Sequence, residues 1–191
     1  MLFIYPTPKY SLGPKASPSP PPPPLPLLPE IEEPGWVYID VQRDLPYDYA
    51  TLLENVLDVS HLPFTHHASV GNRKNGAPVE LELSEGGVKS GGFQGVWAEG
   101  PRRGALGTQF TAFQAPCLMR HTLTSKLFGV TLTVVYAVPS APGRVRLLAR
   151  FPFKFGSPVP AFFIKNTPVW YNHISQNAIL EDDQVQSPCC I

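Results

Sequence analysis

Apolar and polar residues alternate along most of the chain between residue 79 and about residue 155. A two-residue period is typical of strands with one buried face, and the glycine pairs at 86–87 and 91–92 mark turns between the alternating stretches. Short turns favour an antiparallel meander, because parallel strands need long crossovers. With one earlier stretch included, the pattern predicts strands at 37–41, 79–83, 93–97, 108–113, 121–124, 130–138 and 144–151.

Two stretches carry helical patterns instead. Asp48 is a suitable N-cap for a helix whose apolar spacing runs over 50–58, and Pro63 is expected to stop or kink that helix. Residues 158–183 also favour helix, and 170–183 contain no proline or glycine. A helix, a run of antiparallel strands and a long C-terminal helix predict an α+β fold, with the helices packed on one face of the sheet.

Proline is the outlier in composition, with 24 residues, half of them in the first 34 positions. Because proline lacks a backbone donor, the low-complexity stretch 6–34 predicts an extended polyproline II linker. An SH3-type ligand is the less favoured interpretation. The apolar residues 2–5 look like the end of a strand whose partner lies upstream. We therefore expect a remnant of an upstream domain plus linker over 1–34, one domain over 35–186 and a tail over 187–191.

Composition and charge exclude several classes of function. Hydrophobic residues make up 43% of the chain and charged residues 16%, which leaves enough apolar surface for a core. Lys plus Arg and Asp plus Glu are 15 each, so the chain lacks the clustered positive charge that nucleic-acid binding needs. No apolar run approaches the roughly 20 residues that span a bilayer. Three cysteines do not form a disulfide framework.

Three of the five histidines fall within seven residues, at His61, His66 and His67. On a straight helix His61 and His66 would point about 140° apart. Both could bind one metal only if the helix bends between them, and Pro63 supplies a reason for a bend. Two imidazoles suit iron, zinc or copper better than magnesium or calcium. An exposed turn with unliganded histidines is the alternative interpretation.

Two imidazoles leave a metal short of ligands, and two acidic groups could complete the site. Asp58 lies one helical turn before His61 and is suited to hold an imidazole N–H. The acidic run 181–183 ends the last predicted helix, where negative charge is unfavourable unless a cation is nearby. A solvated acidic helix end is the alternative. Two histidines and one carboxylate leave open positions for dioxygen and substrate on ferrous iron.

The spacing Asn55-x-x-Asp58-x-x-His61-x-x-x-x-His66 resembles the iron-binding signature of the Rieske-type non-haem iron oxygenases. Further segments are similar to the pheophorbide a oxygenase and chlorophyllide a oxygenase group of that family. These segments are 52–55, 60–67, 71–73, 167–173 and 180–183. The resemblance covers roughly residues 35–186. It implies a helix-grip fold of the START/Bet v1-like kind, in which an antiparallel sheet wraps a long C-terminal helix.

The resemblance also implies roles for individual residues. His61 and His66 match the histidine ligands of a mononuclear Fe(II), and Asp183 matches the third ligand, with Asp182 as the competing assignment. Asp58 matches the aspartate that relays electrons from a neighbouring subunit's Rieske cluster.

The resemblance gives Asn55 a place near the iron and implies that the other two histidines considered are not iron ligands. Asn55 matches a polar neighbour of the iron. His67 and His173 are not ligands by this match, and Cys117 is expected to be an ordinary strand cysteine. The Cys-x-His and Cys-x-x-His patterns that hold a [2Fe–2S] cluster do not occur in the sequence, so that cluster is expected only in a full-length protein of which this chain is a fragment.

The function implied is that of an oxygenase catalytic domain acting on a chlorophyll-derived tetrapyrrole. It would use O2 and electrons from a Rieske [2Fe–2S] cluster, and a ferredoxin-type reductant would supply those electrons. The resemblance also implies a chloroplast location and a homo-oligomer, expected to be a trimer. The alternative is a non-enzymatic iron- and tetrapyrrole-binding or redox-sensing module related to the Rieske proteins of chloroplast import. A third interpretation is a Rieske oxygenase of small aromatic or steroid-like substrates.

Overall fold

The computed structural model describes residues 28, 32–67, 69–89, 91–97, 107–125 and 129–184. The described strands are β1 (Val37–Leu45), β2 (Leu81–Leu83), β3 (Gly92–Trp97), β4 (Thr108–Gln114), β5 (Leu118–Ser125), β6 (Gly129–Ala141) and β7 (Arg144–Lys154). The helices are α1 (Tyr49–Leu57), α2 (Leu62–Thr65), α3 (Pro158–Asn166) and α4 (Val169–Gln184). The predicted α+β class is confirmed. The predicted upstream remnant and most of the linker lie outside the described residues, as does the tail.

One antiparallel sheet contains all seven strands, in the order β1-β7-β6-β5-β4-β3-β2. Strands β2 to β7 form the predicted meander, and β1 pairs with β7 along its whole length. Strand β5 begins at Leu118, three residues before its predicted start. Leu118 and Met119 are both buried, because they pack into clusters on opposite faces of the sheet. The alternation that marks a strand with one buried face is therefore lost at this point.

The main core lies between the sheet and α1. Helix α1 contributes Leu52 and Leu53, and the partly buried Leu180 of α4 packs against the same cluster. The sheet contributes apolar residues from β1, β5, β6 and β7, among them Val41, Leu45, Met119, Val135, Ala137, Val145, Leu147 and Ala149. Burying the Val, Leu and Met side chains of this set stabilises the fold by about 1.5–3 kcal/mol each. We refer to this helix-covered side of the sheet as the inner face.

The segment that carries the clustered histidines differs from its prediction. Asp48 caps α1 as expected, since its carboxylate accepts hydrogen bonds from the backbone N–H groups of residues 50 and 51. The helix does not continue to a kink at Pro63, however, but ends at Leu57. Pro63 instead lies in the first turn of the separate helix α2, where the missing N–H of proline has no cost.

The C-terminal helical stretch is divided in two. Helix α3 ends at Asn166 with Thr167 as its C-cap, and α4 begins after Pro168. Proline disfavours helical backbone in the residue before it, which explains why the predicted stretch 158–183 is not one helix. Within the part of the chain that the structure covers, no helix combines the length and apolar character needed to cross a membrane.

Candidate metal centre

His61, His66 and Asp183 converge although they lie on different elements. His61 immediately precedes α2, His66 immediately follows it, and Asp183 lies in the last turn of α4. A four-residue helix separates the two histidines, so the ends of α2 direct both rings toward one place. Their ring centroids lie 5.2 Å apart at an interplanar angle of 65°.

Distances among the three side chains fit a shared ion. Asp183 Oδ1 lies 3.1 Å from His66 Nε2 and 3.7 Å from His61 Nε2. One ligand atom from each of the three residues lies within 4.8 Å of the other two. Two atoms that each lie about 2.1 Å from a metal and subtend 90° are about 3.0 Å apart. Two nitrogens and one carboxylate oxygen also match the donor set of a non-haem iron site.

Hydrogen bonds on the outer nitrogens fix both imidazole rings. His61 Nδ1 donates to the backbone carbonyl of Asp58, and His66 Nδ1 lies 3.5 Å from Asp182 Oδ2. Ser69 Oγ donates to the same Asp182 oxygen over 2.8 Å. Both Nε2 atoms therefore face Asp183, in the manner of metal-binding histidines oriented by a partner on the other nitrogen.

Asp183 is the better placed of the two competing carboxylates. Its side chain is 9% exposed, against 35% for Asp182, and Asn55 Nδ2 donates to its Oδ1 over 3.2 Å. The hydrogen bond with Asp183 raises the pKa of His66, against the opposing effect of burial. Burial and the charge of Asp183 raise the pKa of Tyr47 to about 12, so this phenol beside the site stays neutral.

Asp58 occupies a different place from the one expected. Its carboxylate accepts hydrogen bonds from the backbone N–H and the hydroxyl of Ser60, and its backbone carbonyl, not its side chain, holds the ring of His61. Helical spacing predicted that the carboxylate of Asp58 would hold this ring. The backbone carbonyl does so instead, because α1 ends before Asp58 and the backbone turns there. The carboxylate lies at the protein surface while the residue also lines the cavity beside His61.

His67, His173 and Cys117 lie outside the cluster. His67 is exposed, and its Nδ1 accepts a hydrogen bond from the backbone N–H of Arg73. His173 is paired with Asn177 one turn further along α4. Cys117 is a free thiol in the turn between β4 and β5, just before β5 and not within a strand.

Arg43 is a site-supporting residue that the sequence did not reveal. It lies on the inner face of β1, where the alternation predicts an apolar side chain. Its guanidinium donates to the backbone carbonyl and side chain of Asn177 and to Glu181 over 3.2–3.3 Å. These contacts attach the part of α4 that precedes Asp183 to the sheet.

A cavity of about 330 Å³ opens beside the three candidate ligands. Apart from the polar groups of the site, its walls are mainly apolar and come from the inner face of the sheet, α1 and α4. The wall residues include Ile39, Leu52, Val56, Met119, Val135, Phe151, Phe153 and Ile179. We call it the metal-side cavity. Small-molecule sites are typically apolar pockets of this kind with a few placed polar groups.

Comparison with known families agrees with this geometry. The family model described as pheophorbide a oxygenase matches residues 113–186, which include Asp182 and Asp183. The model described as vanillate O-demethylase oxygenase C-terminal domain matches residues 47–125, which include His61 and His66. Together the two matches extend over both halves of the candidate metal centre.

Individual relatives give the same result. Pheophorbide a oxygenase from Oryza sativa subsp. japonica is 34% identical over 167 residues, 82% of this chain and 30% of the relative. Protein TIC 55 of Arabidopsis thaliana is 27% identical over 160 residues, 78% of this chain and 28% of the relative. Chlorophyllide a oxygenase of Arabidopsis thaliana is 26% identical over 173 residues, 82% of this chain and 29% of the relative. All three are named as chloroplast proteins.

A solved structure supports the fold alone. A mutant of NdmA from Pseudomonas putida CBB5, solved with caffeine, superposes with a TM-score of 0.64 at 13% identity, covering 84% of this chain and 44% of that chain.

The site, the fold and these relatives define the chain as a member of the Rieske-type non-haem iron oxygenases, corresponding to their catalytic-domain region. Within that class it belongs to the pheophorbide a oxygenase-like group. The chain spans about 30% of the length of the curated relatives it matches.

Proposed function

We propose that this chain is the catalytic domain of a chloroplast oxygenase that acts on a chlorophyll-derived tetrapyrrole of the pheophorbide a or chlorophyllide a type. The observation that carries the proposal is the convergence of His61, His66 and Asp183 beside an apolar cavity. The relatives named pheophorbide a oxygenase and chlorophyllide a oxygenase supply the substrate class and the chloroplast location.

In this proposal His61, His66 and Asp183 hold a mononuclear Fe(II). Asp182 is assigned a supporting role, because it faces the outer nitrogen of His66 and not Nε2. Asn55 fixes the orientation of the Asp183 carboxylate by donating to its Oδ1. Iron held in this way would supply reductive activation of dioxygen beside the bound substrate.

The residues of the chain contribute positioning and exclusion of water. Phe151, Phe153 and Ile179 present apolar surface to a large, flat substrate and keep bulk water from the cavity. Tyr47 stays neutral close to Asp183 and so adds no competing charge to the site.

Electrons must reach the site from outside the described residues. We assign this step to Asp58, whose carboxylate is exposed while its backbone carbonyl holds the ring of His61. The donor would be a Rieske [2Fe–2S] domain of a neighbouring subunit in a homo-oligomer, by family resemblance a trimer, reduced by a ferredoxin-type protein. The exposure of Asp58 on the same turn as His61 supports this assignment.

A non-enzymatic iron- and tetrapyrrole-binding or redox-sensing module is the second candidate. The match to the relative named protochlorophyllide-dependent translocon component 52, from Arabidopsis thaliana, favours it, but at 25% identity against 34% for pheophorbide a oxygenase. Both candidates predict iron and tetrapyrrole binding, and only the oxygenase predicts turnover.

The test combines iron titration with a single-turnover assay. Purified chain should bind about one Fe(II), and the double variant His61→Ala/His66→Ala should bind none, with His67→Ala as the matched control that retains iron. Iron-loaded chain, supplied with pheophorbide a, a reduced Rieske domain and O2, should then form an oxygenated product. Iron stoichiometry that is unchanged in the double variant would refute the site. Iron and pheophorbide a binding without any product would favour the binding module.

A further inference from the structure

Four polar side chains form a hydrogen-bonded chain across the inner face of β3, β4 and β5. Trp97 Nε1 lies 2.7 Å from Thr111 Oγ1, which lies 2.7 Å from His121 Nδ1. The other ring nitrogen of His121 lies 3.0 Å from Gln109 Oε1. The strand register explains these contacts, because Thr111 pairs with His121 and Trp97 pairs with Gln109. Paired residues project from the same face of an antiparallel sheet.

With a neutral imidazole, and with Gln109 Oε1 facing the ring, one arrangement of protons satisfies all the hydrogen bonds between these four side chains. Gln109 Oε1 can only accept, so His121 Nε2 carries the proton and Nδ1 accepts. The hydroxyl of Thr111 therefore donates to Nδ1 and accepts from the indole N–H of Trp97. Burial lowers the pKa of His121 to about 4, which keeps the ring neutral. The donors of Trp97, Thr111 and His121 that take part in these hydrogen bonds therefore all have an acceptor.

The amide nitrogen of Gln109 is the exception. Gln109 is only 3% exposed, and its Nε2 is buried without a hydrogen-bond partner among the described residues. Buried donors are almost always paired, and leaving one unpaired costs its full desolvation. Because Oε1 is held by His121, the amide cannot turn its nitrogen toward another partner without breaking that bond.

Gln109 lines a second cavity of about 210 Å³ that we call the side cavity. The side cavity shares Leu62, Val70, His121 and Thr133 with the metal-side cavity. The two spaces therefore adjoin along the inner face of the sheet. None of the described residues that line the side cavity carries a formal charge at neutral pH, and Thr131 adds a hydroxyl.

We propose that the side cavity is a substrate subsite in which Gln109 Nε2 donates a hydrogen bond to an uncharged carbonyl oxygen of the substrate, at a part of the molecule remote from the metal. This inference rests on the proposed function. A substrate wider than the metal-side cavity must extend past Leu62 and Val70, and the buried amide then gains the acceptor that it lacks. An uncharged carbonyl is the group that fits, since a carboxylate would be buried in a space without a cation to balance it.

The role assigned to His121, Thr111 and Trp97 is positioning. In the arrangement described, His121 Nε2 donates to Gln109 Oε1, and the amide nitrogen is the group left for the side cavity. A chain of hydrogen bonds that all run in one sense polarises its members and strengthens the terminal donor.

The experiment measures binding without turnover. Iron-loaded chain under anaerobic conditions is titrated by fluorescence quenching with pheophorbide a, with an analogue lacking its ring ketone oxygen, and with an analogue lacking its ester group. The variants are Gln109→Met, which keeps the side-chain length but removes the donor, and Gln114→Met, a matched control at an exposed glutamine of the same strand. Circular dichroism and iron stoichiometry establish that each variant is folded.

Wild type and Gln114→Met should bind one of the two analogues about three- to ten-fold more weakly than pheophorbide a, the range expected for one net hydrogen bond. Gln109→Met should bind all three equally. The infrared stretch of the carbonyl concerned should lie at lower frequency in wild type than in Gln109→Met. If Gln109→Met does not fold, Gln109→Asn withdraws the donor by one methylene and is expected to reduce the same preference.

The outcomes separate this inference from the function on which it rests. A wild-type chain that binds none of the three tetrapyrroles refutes the proposed function, and the inference with it. A wild-type chain that binds them with preferences that Gln109→Met shares, and with an unchanged carbonyl stretch, refutes the inference alone.

Discussion

Acidification should destabilise the folded chain through His121. Burial lowers the pKa of this ring from its usual value of 6.5 to about 4, because the charged ring would be removed from water in the sheet's inner face. In the unfolded chain the pKa returns to about 6.5. Between these two values the unfolded chain binds a proton that the folded chain does not. The stabilising contribution of the neutral ring is therefore complete above pH 6.5 and is lost as the pH falls toward 4.

The size of the effect follows from the two pKa values. Each unit of pKa difference is worth about 1.36 kcal/mol, so the full loss below pH 4 is about 3 kcal/mol. Integrating the difference in bound protons between pH 7.5 and pH 5.0 gives about 2 kcal/mol for His121 alone. A loss of this size is a large fraction of the stability of a typical domain, about 5–15 kcal/mol.

Urea unfolding at the two pH values measures this loss. We expect the unfolding free energy of wild type to fall by about 2 kcal/mol more than that of His121→Gln, whose amide does not titrate. Iron-free protein is required, because protons compete with metal at His61 and His66. The other histidines and the carboxylates contribute equally to both proteins and cancel in the comparison. An equal fall in wild type and His121→Gln would refute the reasoning, since it would mean that His121 is not buried as a neutral ring.

Substitutions at and around the metal centre give three further predictions. Asp183→Asn should abolish iron binding in a titration, whereas Asp182→Asn should weaken it only by about 10–100-fold; the reverse ranking would exchange their roles. Asp58→Asn should change iron affinity less than tenfold, because the backbone carbonyl holds His61, but should prevent single turnover with a Rieske donor; normal turnover would exclude the relay. Gly71→Ala should destabilise the fold by about 1–3 kcal/mol in urea and weaken iron binding, because its Cβ would lie 2.2 Å from the Leu62 carbonyl oxygen. Gly91→Ala, which meets nothing within 4 Å, is its control, and equal losses would contradict the argument.

Periodicity was sufficient to predict the sheet because most of its strands keep one buried face and, among the described residues, the five connections from β2 to β7 contain no helix long enough to interrupt the alternation. It failed at the start of β5, where Leu118 and Met119 are buried on opposite faces. It also failed to divide the C-terminal helical stretch, although Pro168 marks the division in the sequence. A helix was predicted to stop or kink at Pro63, but this proline lies in the first turn of a helix. No break was predicted at Pro168, although this proline separates two helices.

The metal centre could be predicted from the spacing of residues close together in the sequence. Contacts that depend on the register between strands could not be predicted in this way. His61 and His66 are five residues apart, so their proximity can be inferred from a turn, and the acidic end of α4 could be proposed from its unfavourable charge. The chain from Trp97 to Gln109 depends instead on how β3, β4 and β5 are aligned, which no spacing within one strand reveals. The use of the Asp58 backbone in place of its side chain depends on where α1 ends.

The weak docking of α4 explains why the metal centre and the fold should depend on each other. Helix α4 contains Asp183 but has no fully buried residue, so it gains little from the hydrophobic burial that normally holds an amphipathic helix. Its described attachments near the site are the packing of Leu180, the contacts of Arg43, the hydrogen bond from Asn55 and the contacts of Ser69 and His66 with Asp182. An ion shared by Asp183 and the two histidines would join α4 to α2 directly, and a ligand that binds only the folded state stabilises that state by mass action. Occupancy of the metal centre and docking of α4 are therefore linked, and a change that loosens α4 weakens metal binding even when all three ligands are intact.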